Sequence, residues 1–154
     1  GRYINIYLEP KDCHRIYMPC DAKLTKVTHI PGSLFSVAPY ATEGIKKLYS
    51  RNERVILSFH NDEFKMSLVM VGAVNVGCIS LSDHGIIAPS KYRNSITEFK
   101  NKKDIKCYKK GQEIGMFNLG STVILLISDI NSSWSENIIE KEKILIRDEI
   151  LKIS

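Results

Sequence analysis

Three short apolar runs constrain this chain more than anything else in it. They are RVILSFH (54–60), MSLVMVGAVNVGCISL (66–81) and STVILLI (121–127). Each is rich in β-branched residues and closely bounded by turn-forming ones, the pattern of buried strands. None reaches the roughly 18 apolar residues that a membrane-crossing helix needs. Gly72 and Gly77 interrupt the second run, and glycine inside a strand marks a bulge or a close approach by another backbone. Around these runs, YINIYL (3–8) reads as a strand, and Ala22–Ile30 alternates weakly and ends at the Pro31-Gly32 turn signal. SITEF (95–99) reads as an edge strand, and IKCYKKGQEIGMF (105–117) as a short strand with two glycine-centred turns. ATEGIKKLYSRNE (41–53) has mixed helical and loop character, with Ile45, Leu48 and Tyr49 at helical spacing. Asp12 is placed to N-cap a short turn carrying Cys13, His14 and Arg15. In the tail, ILIRDEILKI (144–153) is read as two short strands around Asp148-Glu149. The expected fold is therefore mainly β (α+β): an antiparallel sandwich or barrel-like domain with a few short helices.

At 154 residues the chain is expected to form one domain. It starts with Gly and runs at once into a strand pattern, with no signal-peptide pattern, so further residues are expected upstream in the natural protein. The formal net charge of +5 suits an anionic partner, either nucleic acid or an acidic lipid surface. Its lysine clusters, at 46–47, 100–103 and 106–110, come without any RNP, zinc-finger or helix-turn-helix pattern, so no nucleic-acid partner is expected. Cys13, Cys20, Cys78 and Cys107 form no C-x-x-C pair, which argues for reduced thiols and no metal site.

The stretch with chemical content is GQEIGMFNLGSTVILLISD (111–129). It sets Gly120, Ser121 and Thr122 at the mouth of a buried strand. A β-turn is the ordinary reading of Gly-Ser there. A peptide bond built to break is the other.

Four stretches in order give this segment its context: YLEPKDCHRIYMP (7–19), IPGSLFSV (30–37), RNERVILSF followed by VMVGAVNVGCI (51–79), and KGQEIGMFNLGSTVILL (110–126). Together they resemble the C-terminal catalytic part of bacterial phosphatidylserine decarboxylases. The last stretch is similar to that family's K-G-x-E-x-G-x-F-x-x-G-S-T-V pattern. The resemblance implies a pyruvoyl-dependent carboxy-lyase that turns phosphatidylserine into phosphatidylethanolamine and carbon dioxide. Ser121 would attack the Gly120 carbonyl and become the pyruvoyl cofactor, leaving two subunits, 1–120 and 121–154. The substrate amine would then be captured on that group as a Schiff base. Decarboxylation of an amino acid needs such an electron sink, and no phosphate-cradling loop for pyridoxal phosphate is visible. Gly120, lacking a Cβ, could take an unusual φ and expose its carbonyl. His14 would be the proton carrier, since histidine titrates near neutrality. His29, His60 and His84 match no motif and are read as structural or exposed. The partners implied are phosphatidylserine, an anionic membrane surface and the chain's own cleaved subunit, with a homodimer left open. The expected location is peripheral, on the cytoplasmic face of the bacterial inner membrane.

The chain departs from the family pattern at Tyr17, where a second histidine is expected as the base for self-cleavage. A phenol, titrating near about pH 10, is a poor base at neutrality. The family's partner aspartate lies upstream of this chain. Cys13 stands where tyrosine is expected, and Ala38 where asparagine is. Three readings of Tyr17 stay open: a cleavage-blocked variant, slow cleavage by strain and another base, or a relative that no longer cleaves. The alternative function is a non-catalytic or cleavage-deficient lipid-binding relative.

Overall fold

The computed structural model describes residues 1–74, 78–88, 97–99, 106–118, 120–128, 131–140 and 142–153. Among the described residues, thirteen strands and two short helices follow one another. They are β1 (Arg2–Leu8), β2 (Arg15–Tyr17), β3 (Ala22–Ile30), α1 (Pro39–Gly44), α2 (Leu48–Arg51), β4 (Arg54–His60), β5 (Lys65–Val71) and β6 (Ile79–Leu81). Then come β7 (Gly85–Ala88), β8 (Thr97–Phe99), β9 (Cys107–Tyr108), β10 (Glu113–Phe117), β11 (Ser121–Ile127), β12 (Ser132–Trp134) and β13 (Leu151–Ile153).

The larger sheet runs β1-β11-β5-β4-β3-β8, with β9 also paired to β3. Every pairing in it is antiparallel. The smaller sheet runs β2-β10-β6-β7, and β12 pairs with β13 alone. The mainly β, antiparallel architecture expected from the turn-punctuated runs is what forms.

Side-chain alternation decides where the core sits. On the larger sheet, Val123, Leu125 and Ile127 of β11 lie beside Met70, Leu68 and Met66 of β5, and these beside Val55, Leu57 and Phe59 of β4. All nine are buried. This face packs towards the smaller sheet. A Cβ on Gly115 of β10 would come within 3.4 Å of the Met70 side chain and 2.6 Å of the Ser80 carbonyl oxygen. No side chain fits there, so Gly115 is a strand glycine set by close approach. Of the two glycine-centred turns expected in this stretch, only Gly111 makes one, at φ 79°. The opposite face of the larger sheet meets the helices: Asn5 of β1 donates to the Tyr49 hydroxyl at 2.8 Å, and Arg54 of β4 to the Ser50 carbonyl at 2.8 Å.

Several irregularities have local causes. β3 alternates weakly because its register slips between Leu24 and Lys26, and Thr25 there donates to the Ser58 carbonyl at 2.9 Å. The helical pattern of 41–53 breaks into two pieces at Lys47, which sits at φ 57°. The apolar run 66–81 divides into β5 and β6, which belong to different sheets; Gly77 lies outside the described residues. In the tail only 151–153 is a strand, because the Asp148 N–H bonds back to the Leu145 carbonyl and the Asp148 side chain accepts from the Leu145 N–H. That local turn replaces the first of the two expected strands. Of SITEF, Thr97–Phe99 forms an edge strand on β3. The lysines at 100–103 and Ser95-Ile96 lie outside the described residues.

Candidate active site

The chain passes from one sheet to the other between Phe117 and Ser121. β10 ends at Phe117 in the smaller sheet, and β11 begins at Ser121 in the larger one, between β1 and β5. Leu119 lies outside the described residues. The Gly120–Ser121 peptide therefore stands at the point of crossover. Ser121 pairs with Leu8, the last residue of β1, so the loop 9–14 leaves β1 directly beside it.

In that loop Asp12 does not N-cap a short turn carrying Cys13, His14 and Arg15, as the sequence suggested. Asp12 instead closes a tight turn backwards, its N–H donating to the Glu9 carbonyl and its carboxylate accepting from the Glu9 N–H at 2.8 Å. The chain then goes straight into β2, because Arg15 and Ile16 pair with Met116 and Gly115 of β10. The His14 carbonyl accepts from the Phe117 N–H at 3.0 Å, which ties His14 to the strand leading into Gly120.

Pro10 is the common neighbour. Its carbonyl lies 3.3 Å from His14 Nε2, and its ring would lie 3.4 Å from a Cβ at Gly120. A carbonyl can only accept, so Nε2 carries the proton in this contact and Nδ1 holds the lone pair. The tautomer is thus assigned from the hydrogen bond. Gly120 is not in the left-handed region, which corrects the expectation of an unusual φ. Its small size matters instead, since a Cβ would meet Leu8 and Pro10 at 3.4 Å.

Buried polar side-chain atoms are nearly always hydrogen-bonded. Among the described residues, the buried side-chain atoms left without a partner are His14 Nδ1, Ser121 Oγ and Thr122 Oγ1. All three fall in the two segments singled out in the sequence. Ser121 and Thr122 are completely buried. Alternation turns Ser121 to the face shared with Val123 and Leu125, and Thr122 to the opposite face. An unpartnered serine hydroxyl and an unpartnered imidazole nitrogen, on segments that meet where Pro10 lies against His14 and Gly120, make a site kept polar at a cost to stability of about 1–3 kcal/mol per group.

Tyr17 sits at the far end of β2, half-buried, on the same side as Arg15 and opposite the buried Ile16. Arg15 there forms a paired contact with the Glu113 carboxylate at 2.7 and 2.9 Å. Since Ser121 Oγ has no partner, neither His14 nor Tyr17 is bonded to it. His29, set aside in the sequence, is fully buried on β3 and lies 2.8 Å from the Glu53 carboxylate. Nothing in the sequence pattern distinguished this histidine from the exposed ones.

The profile of the phosphatidylserine decarboxylase family matches residues 1–151. The chain belongs to this family. Among phosphatidylserine decarboxylase relatives, the proenzyme of Methylobacillus flagellatus is 47% identical over 126 residues, covering 82% of this chain and 45% of that protein. The proenzyme of Coxiella burnetii is 38% identical over all 154 residues, 54% of its own length. That of Legionella pneumophila is 41% identical over 145 residues, covering 94% of this chain and 51% of that protein. The chain thus spans about half the length of the phosphatidylserine decarboxylases it matches.

Proposed function

We propose that this chain is the self-processing, decarboxylating part of a phosphatidylserine decarboxylase, cut at Gly120–Ser121. The observation that carries the reading is the coincidence of three orphaned polar atoms with the two motif segments, beside a point where the backbone crosses between sheets. Ser121 Oγ, buried and unengaged, attacks the Gly120 carbonyl and moves the acyl chain from nitrogen to oxygen. Loss of the Gly120 carboxylate by elimination, and of ammonia by hydrolysis, then leaves a pyruvoyl group at position 121. The fit is chemical: residue 121 carries the needed hydroxyl, and the unbranched Gly120 leaves its carbonyl open to attack. When formed, that group would supply the electron sink for the charge left on Cα as carbon dioxide departs.

The chain's own residues do the remaining work. His14 holds a proton acceptor at Nδ1, with Nε2 fixed by Pro10. Such a group carries a proton to or from Cα. Burial of residue 121 keeps bulk water from the reacting bond. The net charge of +5 supports an anionic lipid substrate and a peripheral position on the cytoplasmic face of a bacterial inner membrane. No helix among the described residues is long and apolar enough to cross a membrane.

Cleavage would not separate the pieces. β11 is hydrogen-bonded along both edges, to β1 and β5. Its Val123, Leu125 and Ile127 are buried, each contributing about 1.5–3 kcal/mol. Arg2 of the larger piece also donates to Ser132 of the smaller one. Fragments 1–120 and 121–154 are expected to co-elute in native gel filtration and to part only in denaturant. Separate elution in native buffer would contradict this pairing.

The function is tested by carbon dioxide release from phosphatidylserine vesicles. Release is expected, and a carbonyl reagent is expected to stop it. No release from a correctly folded protein would favour the second reading, a lipid-binding relative that does not cleave. Tyr17, standing where the family pattern has a histidine, is the observation on that side. In that case renewed cleavage in Tyr17→His would identify a blocked precursor.

A further inference from the structure

The connection between β3 and β4, residues 31–53, presents charged and aromatic surface that the proposed chemistry leaves unused. The sheet register fixes where it lies. Ile30 pairs with Arg54, Arg54 with Val71, Val71 with Thr122 and Thr122 with Tyr7. These residues form one cross-strand row, and Ser121 is the next residue beyond it on β11. The connection thus leaves the larger sheet and rejoins it at the end where the Gly120–Ser121 peptide stands. It also folds over the outer face, since Tyr49 of α2 accepts from Asn5 of β1 and the Ser50 carbonyl accepts from Arg54. Tyr40 of α1 comes near loop 9–14. Burial raises the Tyr7 phenol above its ordinary value, and Glu9, Tyr40 and Asp12 nearby add to that rise.

What the segment shows to solvent is basic and aromatic. Tyr40 is 74% exposed. Lys46, Lys47 and Arg51 are exposed too, and none has a carboxylate partner among the described residues. Exposed cations elsewhere do: Lys11 has Glu9, Arg15 has Glu113 and Lys109 has Asp21. Glu43 is the one acidic side chain between Tyr40 and Arg51. Lys47 holds a left-handed backbone at φ 57°, which is uncommon for a long side chain. The Arg51 guanidinium lies 4.7 Å from the centre of the Phe35 ring, a contact that steadies it and leaves its N–H donors open.

We propose that segment 39–51 is the surface by which this chain docks on an anionic bilayer, with Lys46, Lys47 and Arg51 on lipid phosphates and Tyr40 in the headgroup layer. Charge decides the occupant. A leaflet of negative surface potential rewards each Lys or Arg at its surface roughly fivefold in binding. Tyrosine suits the headgroup layer because its ring is apolar and its hydroxyl is polar. Docking here turns the end of the sheet that holds Ser121 towards the leaflet that holds the substrate. The inference rests on the reading of an anionic lipid surface as partner and adds the surface that meets it.

The test is co-sedimentation of the full chain with vesicles of phosphatidylglycerol and phosphatidylcholine. Phosphatidylglycerol supplies the negative charge and has no serine carboxylate to lose. Lys46→Gln/Lys47→Gln/Arg51→Gln should weaken binding at least tenfold. The charge-matched control is Lys23→Gln/Lys65→Gln/Lys110→Gln. Lys23 and Lys65 flank His60 at the other end of the sheet, and Lys110 lies beside Asp21, just before β3. The seven residues of β5 put the two ends roughly 20 Å apart, beyond the screening length of about 10 Å at 0.1 M salt. The control should therefore weaken binding far less. Tyr40→Ser, which leaves the charge unchanged, should also weaken it. Equal losses in the two triple variants mean attraction by net charge alone and overturn the inference. So does unchanged binding in Tyr40→Ser. If the first triple variant does not fold, Lys46→Gln/Lys47→Gly, in which glycine accepts the left-handed backbone, carries the same comparison against Lys23→Gln/Lys65→Gln. If the unaltered chain does not bind these vesicles, or binds a DNA duplex in preference to them, the lipid-surface reading fails and this inference with it. If it binds them and the two sets of variants lose equally, only the inference fails.

Discussion

Ser121→Ala is expected to abolish both events at once: the chain stays a single 17.5 kDa species, and carbon dioxide release from phosphatidylserine vesicles falls to background. The reason is chemical. Alanine has no oxygen with which to take the Gly120 acyl group, and no precursor for the ketone. The substitution should be well tolerated by the fold. Ser121 Oγ makes no hydrogen bond, so removing it leaves no buried partner unsatisfied. Its strand is held by backbone pairing to Leu8 and by apolar neighbours on both sides. A melting temperature equal to or above that of the unaltered chain, together with complete loss of splitting, is therefore the expected pair of results. Ser121→Ala that still releases carbon dioxide would remove the pyruvoyl chemistry from this site.

His14→Gln should divide the two events. Glutamine can still donate to the Pro10 carbonyl, so loop 9–14 keeps its course past Gly120. It cannot carry a proton. A positioned acid–base group contributes about 10²–10⁴-fold, and carbon dioxide release should fall by that factor. The Gly120–Ser121 bond should still break, because His14 is not bonded to Ser121. Mass spectrometry and a release assay on one preparation read both quantities. If His14→Gln blocks the split instead, His14 belongs to the processing step and not to decarboxylation.

Much of this was legible in the residues, for identifiable reasons. β4, β5 and β11 are central strands buried on at least one face, and such strands announce themselves as β-branched apolar runs. The segment around Gly120-Ser121 stood out because four stretches in order resemble one family's pattern and the last of them contains it; glycine and two hydroxyls alone read equally as a turn. What escaped depended on pairing between distant residues. The bulge in β3 was invisible because a register slip is set by the partner strand. Gly115 read as a turn because sequence cannot show the Ser80 carbonyl against it. Asp12 read as the N-cap of the turn after it because the same side-chain chemistry closes the turn before it. His29 and Glu53 lie 24 positions apart, and only the register of β3 on β4 brings them together.

The central claim is that Ser121 cuts its own backbone. Intact-mass measurement of the purified, otherwise untreated protein tests it most directly. The account expects two species, residues 1–120 with an ordinary carboxyl end and residues 121–154 bearing a ketone where an amine would be. A folded protein that runs as one unbroken mass after prolonged incubation, or one that splits at 120/121 to leave a free serine amine, would contradict it.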